Sequence, residues 1–349
     1  MVTVASSSRL SLLVAAKRLF AICLFVTLLL SAQWSNAQSD TANAKNWHSR
    51  KTSAMGTLIN VELYCEDAKK ARVLIDWVSA EMERIDRLMS PYKPQSELAQ
   101  INALAADRPI MISSELYQLV AKALEHGHWS QGAFDITFAS AGFQYDYRNK
   151  IKPSEDKLST AVHFIDYRAV ILLPENKIKF TKKGVKIDLG GIAKGHAVDR
   201  AIYYLQSQGI KHAIVSAGGD SRIIGDHRGR PWILGIQHPR GDGHAVSLPL
   251  ESIAVSTSGD YERYFIDQDG VRHHHILNPK SGKSASEVQS VTILGPNATL
   301  TDALSTTVFV MGVTNGLAYI NKLNDVSAII IDAQGKLHYS DDLVRPTRK

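Results

Sequence analysis

The chain is short of cysteine, of charge of one sign and of recognisable nucleotide-loop spacings, and each shortage excludes something. Two cysteines stand among 349 residues, and Cys23 lies within an N-terminal apolar run. Cys65 is then the only thiol in the remainder, so no internal disulfide is open to it and stability has to come from packing. Basic residues outnumber acidic ones only as 40 to 34, and no basic run with interleaved aromatics occurs. That balance argues against a nucleic-acid partner. There is no internal repeat, no low-complexity tract, no G-x-G-x-x-G and no P-loop spacing. Beyond the first run, no segment reads as long and apolar enough to cross a bilayer.

What is present begins with an export signal. Arg9, Lys17 and Arg18 precede the apolar run Leu19–Leu30, and Ser35-Asn36-Ala37 supplies small residues for cleavage. The run is about a dozen residues, short of the roughly 20 that span a membrane. Residues 1–37 are therefore expected to be a cleaved signal peptide, with the rest delivered to the periplasm. An uncleaved signal would instead anchor the chain at the inner membrane. Cys23 follows Ile22 rather than a small residue, which makes a poor lipobox. Removing the three basic residues lowers the formal charge from +6 to about +3. Residues 38–50 read as a flexible lead-in, and 51–345 as a single compact unit of one or two lobes.

Periodicity gives the outline. Thr57–Tyr64 alternates as a strand, while Leu74, Ile75, Val78, Met82, Ile85 and Met89 recur at helical spacing before Pro91 and Pro94. A second helix is expected over Ser114–Gly127. Strands are expected over Val170–Leu173 and Lys177–Leu189, then a helix from Lys194 to Gln208. Short strands follow at Ala213–Ser216, Trp232–Ile236, Ile253–Ser256 and Ser290–Leu294. Helices over Thr301–Met311 and Asn315–Leu323 and a hairpin over Ser327–Tyr339 complete the chain. Strands and helices mix without strict alternation, which is the pattern of an α+β fold.

Three segments carry chemistry. In Lys186–Gly195 a strand is expected to end at Asp188, Gly190-Gly191 turn, and a helix begins near Lys194. Glycines admit close approach to the backbone, and a helix N-terminus favours anions; a plain strand-to-helix turn would also account for it. In Thr301–Thr306, Asp302 and Thr306 stand four apart and share a helical face, an oxygen pair suited to Mg²⁺. An acid at a helix start has the same appearance. In His273-His274-His275 the first and third share a face, offering a general base near neutral pH, with zinc unsupported by any second His/Cys cluster. Gly132–Asp135, Ser90-Pro91-Tyr92, Gly218-Gly219-Asp220 and Ser258–Arg263 add turns and aromatics where a ligand could sit.

In this order these segments, with Met55-Gly56-Thr57, Asn102 and His275–Pro279, resemble the ApbE family of FAD:protein FMN transferases over residues 50 to 340. The resemblance implies a T-fold-like α+β architecture, with mostly antiparallel sheets and flanking helices. It implies FAD contacts from Met55, Tyr92, Ala133, Phe134, Asp135, Asp188, Lys194, His275 and Ile276. It implies Mg²⁺ held by Asp302, Thr306 and the Gly191 carbonyl. His275 and Asp302 are then the expected catalytic residues, with Asp260 a lesser candidate base. The implied activity is transfer of FMN from FAD to a Thr or Ser hydroxyl of an acceptor flavoprotein subunit, releasing AMP. An FAD diphosphatase and a non-catalytic flavin-binding protein are the alternatives, and peripheral association with the inner membrane is compatible with each.

Overall fold

A computed structural model describes residues 46–344; the signal, its cleavage site and the start of the lead-in lie outside the described residues. The fold opens with strands where a loose segment was expected. Trp47–Ala54 (β1) and Thr57–Tyr64 (β2) pair antiparallel about Met55 and Gly56, whose φ values of 54° and 71° suit a two-residue hairpin turn. Residues 47–50 thus belong to a strand rather than to a lead-in. Pairing along β2 and the packing of Trp47 on Tyr64 and Trp232, with ring centroids 5.5 and 5.3 Å away, hold them there.

Helix α1 (Ala68–Met89) starts at Asp67, whose carboxylate accepts from Lys69 N and Lys70 N at 2.9 and 3.0 Å. Such a cap is worth about 1 kcal/mol. The helix buries Leu74, Ile75, Val78, Met82, Ile85 and Met89, the stripe read from the sequence. Next come α2 (Glu97–Leu104), β3 (Ile110–Met111), α3 (Ser114–Trp129), α4 (Glu155–Val162), β4 (Val170–Leu173) and β5 (Lys177–Phe180). The strand expected to run on to Leu189 stops at Phe180. Gly184 turns the chain at φ 95°, and the extended residues after it bond away from any ladder. Lys186 N donates to Ser140 Oγ at 3.0 Å, Ile187 N to Asn102 Oδ1 at 2.7 Å, and Asp188 N to Ile136 O at 2.9 Å.

The second half holds α5 (Ala193–Ser207), β6 (Ala213–Ala217), β7 (Asp220–Ile224), β8 (Trp232–Gln237), β9 (His244–Leu250), β10 (Ala254–Gly259), β11 (Tyr264–Ile266) and β12 (Arg272–His274). It ends with β13 (Val288–Gly295), α6 (Ala298–Ile320), β14 (Ser327–Asp332) and β15 (Leu337–Tyr339). The main sheet runs β1-β2-β6-β7-β10-β13-β14-β15, with β3-β5-β4, β8-β9 and β11-β12 as smaller sheets. Its pairings are antiparallel, giving the expected α+β class. Helices α1, α5 and α6 pack against the main sheet. Trp232, Ile236 and Leu250 of the β8-β9 hairpin join a separate apolar cluster with Val255, Leu294 and Ile329. Every residue of β13 is buried.

Helix α6 has the length and hydropathy to cross a membrane, contrary to expectation. It is nevertheless a core element, packed on β10, β13 and β14. It breaks at Gly312 (φ 75°, ψ −176°), between the two helices read from the sequence. Charges link the helices. Buried Glu81 of α1 accepts from Arg84 at 2.7 Å and from Arg200 of α5. Arg84 and His196 both reach Glu115 of α3, at 2.8 and 2.9 Å.

Candidate active site

The site begins where α5 and α6 touch. Gly195 has no room for a side chain, since a Cβ there would collide with the Ala298 carbonyl and lie 2.8 Å from Asp302 Cβ. The close approach lets Gly195 N donate to Asp302 Oδ2 at 2.9 Å. One turn earlier the Gly190-Gly191 bend faces the same helix, and a Cβ on Gly191 would lie 3.0 Å from Thr306 Oγ1. Strand β10 contributes Ser258 Oγ, 2.8 Å from Ser305 Oγ and 3.4 Å from Thr306 Oγ1. Gly191, Asp302 and Thr306, more than a hundred positions apart in part, therefore meet at one corner.

That corner is charged, and its carboxylates are buried. Asp220 and Asp302 are 1% and 2% exposed. Lys194, on the first turn of α5, donates to Asp220 and lies 3.5 Å from Asp302 Oδ1. Burial, reinforced by the neighbouring Asp220 carboxylate and opposed by Lys194, pushes the Asp302 carboxyl up to about 7. Burial works against the Lys194 ammonium, yet the two carboxylates hold it above its usual range. Two carboxylates share one ammonium, so the set carries one excess negative charge when both are ionised. A divalent cation would turn that excess into a single net positive charge, and one carboxylate, one hydroxyl and one carbonyl form an all-oxygen set of the kind Mg²⁺ accepts. The residues present fit the metal. That set mixes one carboxylate with a hydroxyl and a backbone carbonyl; a cluster of three or more His, Cys, Asp or Glu suited to a metal does not occur among the described residues.

This corner opens on a cavity of about 550 Å³, a volume in the range of cofactor pockets. Met55, Tyr92, Ala133, Phe134, Asp135, Asp188, Gly191, Lys194, His275, Ile276, Asp302 and Thr306 all line it. Phe134 is buried beside Gly191, while Tyr92 is 69% exposed at the rim, edge-on to Phe143 with centroids 5.9 Å apart.

A model of the ApbE family matches residues 55–330. The chain belongs to the ApbE family. Among its ApbE relatives, the FAD:protein FMN transferase of Treponema pallidum is 30% identical over 86% of this chain and 89% of its own length. That of Vibrio cholerae is 32% identical over 79% and 85%. The crystal structure of the ApbE protein from Thermotoga maritima superposes with a TM-score of 0.80 at 35% identity, over 87% of this chain and all of that one. The Vibrio cholerae flavin transferase ApbE gives 0.76 at 27% identity, over 85% and 98%. The ApbE architecture expected from the sequence is borne out.

Within this ApbE site the residues differ in how free they are. Both Asp135 oxygens are engaged by the protein: Oδ1 accepts from Thr137 N at 2.8 Å and Thr137 Oγ1 at 2.5 Å, and Oδ2 from Tyr167 N at 2.9 Å. The carboxylate thus fixes the turn that presents Phe134. Asp188 Oδ1 accepts from Gly190 N at 2.6 Å, and burial raises the carboxyl despite Arg263 and Lys194. His275 Nδ1 lies 3.3 Å from the Arg263 carbonyl. Desolvation, then the Arg263 charge, pushes the ring down to about 3, so it is neutral near pH 7. The triplet around it divides: His273 Nε2 meets Asp267 at 2.8 Å, and His274 Nε2 meets the Ala285 carbonyl at 2.7 Å. Asp260 is no base. Arg240 grips it with both guanidinium nitrogens, Nη1 at 2.7 Å, and it does not line the cavity. Sequence reading undervalued Asp220, the lysine's partner, and the exposed Arg263, which lines the cavity. Their signals were the Gly218-Gly219-Asp220 and Ser258–Arg263 turns.

Proposed function

We propose that this ApbE-family chain transfers the FMN half of FAD to a threonine or serine hydroxyl of an acceptor flavoprotein subunit, releasing AMP with Mg²⁺ bound. The observation that carries this reading is the meeting of Gly191, Lys194, Asp302 and Thr306 on the wall of a cavity that Phe134 and Tyr92 also line. A dinucleotide laid along it would place its diphosphate against the charged corner and its rings along Phe134, beside Gly191, and Tyr92 at the rim. Held by Asp302, Thr306 and the Gly191 carbonyl, Mg²⁺ would neutralise diphosphate charge.

The chain's own groups supply the rest. Lys194 offers a cation at the diphosphate. His275, neutral before substrate arrives, takes the proton of the acceptor hydroxyl as that oxygen attacks the FMN-side phosphorus. The phosphoanhydride bond to AMP then breaks, and AMP departs with the bridging oxygen. Nearby phosphate charge would raise the ring's proton affinity as the reaction requires. The export signal supports a periplasmic site of action, with or without contact with the inner membrane.

The test is to incubate the chain with FAD, Mg²⁺ and a periplasm-facing flavoprotein subunit, and to look for flavin fluorescence surviving denaturing electrophoresis. Labelled subunit and stoichiometric AMP are expected. FMN and AMP released at one rate with or without acceptor, and no label, would replace the proposal with FAD hydrolysis.

A further inference from the structure

We infer that the acceptor polypeptide docks as an added β-strand along the outer edge of β11, which guides its hydroxyl into the cleft. This rests on the transferase reading above and names how that site takes its protein substrate. The hairpin β11-β12 is a two-stranded sheet, and its hydrogen bonds fix which groups point outward. His275 N donates to the Arg263 carbonyl at 3.2 Å and Asp267 N to the Val271 carbonyl at 3.0 Å. In an antiparallel pair such bonded positions alternate with unbonded ones. The register Tyr264↔His274 and Ile266↔Arg272 is therefore the unbonded set, with N–H and C=O directed away from the partner strand.

The two outer edges are unlike. On β12, His274 N donates to Ser284 Oγ at 2.8 Å, and the His274 carbonyl accepts from Ser284 Oγ and Tyr147 Oη at 2.7 and 3.2 Å. That edge is closed. On β11, neither backbone group of Tyr264 or Ile266 has a partner among the described residues. Their side chains are 40% and 50% exposed, and the Arg272 guanidinium lies 3.8 Å from the Tyr264 ring centroid. An open edge with exposed apolar side chains is a template for strand addition.

Position selects the occupant. The edge leads directly to Glu262 and Arg263, which line the cleft, and Arg263 is paired with the proposed base His275. At about 3.3 Å per residue, a strand aligned with Tyr264 and Ile266 brings a residue two or three positions on to the cleft mouth. A hydroxyl-bearing polypeptide must reach that point, so an extended segment of the acceptor is the ligand that this edge fits.

Ile266→Pro removes one outward N–H and leaves the bonds to β12 intact, at an edge position that tolerates proline. The probe is the apo flavoprotein subunit that the wild-type enzyme labels. Its KM is expected to rise about fivefold or more, the worth of one backbone hydrogen bond. The FAD Kd stays unchanged, and Ile266→Val keeps the wild-type KM. In the unmodified enzyme, hydrogen exchange at the Tyr264 and Ile266 amides is expected to slow on adding the subunit, which needs no variant to fold. Wild-type labelling with neither a raised KM in Ile266→Pro nor slowed exchange overturns edge docking and leaves the transferase standing. A wild-type enzyme that labels no subunit overturns both.

Discussion

Gly195 and Asp302 join two helices at the site through a 2.9 Å hydrogen bond from backbone N–H to carboxylate, over a gap too narrow for a methyl group. Gly195→Ala forces the α5 and α6 backbones apart. Overpacking of this kind costs about 1–3 kcal/mol. A denaturant midpoint lowered accordingly, with weakened Mg²⁺ dependence, is the expected result. An alanine variant as stable as wild type would show that the contact is looser than described.

Asp302→Asn keeps an oxygen for the Gly195 N–H and removes the charge. The fold is expected to survive while turnover of FAD falls on the order of a hundredfold or more, as when a preorganised charge at a reacting phosphate is lost. Excess chelator should abolish turnover in the wild type. Steady-state rates across a Mg²⁺ titration measure both, and an unaltered metal dependence in the variant would remove Asp302 from the cation site.

His275→Ala separates chemistry from binding. Loss of a general base lowers kcat by about 10²–10⁴-fold, while the FAD Kd is expected to change by only about threefold, within the worth of one hydrogen bond. Flavin fluorescence titration gives the Kd and acceptor labelling gives the rate. Equal losses in the two would make His275 a ligand and nothing more.

His126 of α3 provides a pH test away from the chemistry. It is 6% exposed, its Nδ1 has no hydrogen-bond partner, and it packs edge-on to Phe134 and Trp129. Burial, with help from Lys122, lowers the ring from 6.5 to about 4. Between those values the unfolded chain binds the extra proton and the folded one does not. Stability from this group is thus complete above pH 6.5 and is lost as pH falls toward 4. The buried ring of His274 and the lowered carboxyls of Glu81 and Glu115 act in the same direction, so the readout is a difference. His126→Leu is expected to lose less stability than wild type between pH 7 and pH 4.5 in urea melts. Parallel curves would mean that the ring is protonated without cost.

Local patterning revealed the apolar stripe of α1, because its residues repeat at helical spacing, but not the first turn at Ala68 or its Asp67 cap. It did not reveal β1, whose residues gain their strand character from pairing with β2 and from the packing of Trp47. Nor did it show α2, eight residues held by burial of Leu98 and Ile101 and by the Ser96 cap. The end of β5 was hidden because Val185–Leu189 keeps a strand-like composition while Asn102, Ser140 and Ile136 take its amides. In the site, the glycine bend and the Asp302/Thr306 face were each visible alone. Their meeting depends on the α5–α6 contact, which no local spacing encodes. The binding of Lys194 to Asp220 and of Asp260 to Arg240 is tertiary in the same sense.

The ionic lattice of Glu81, Arg84, Glu115, His196 and Arg200 joins three helices through shared carboxylates. Sliding any one of them would strand a desolvated charge, so α1, α3 and α5 move as one body. Accommodation of ligands of different size then falls to the segment from Glu262 to Arg272, which makes no ion pair with those helices among the described residues. Differences in acceptor choice among these enzymes would accumulate on that segment, with the charged corner left untouched.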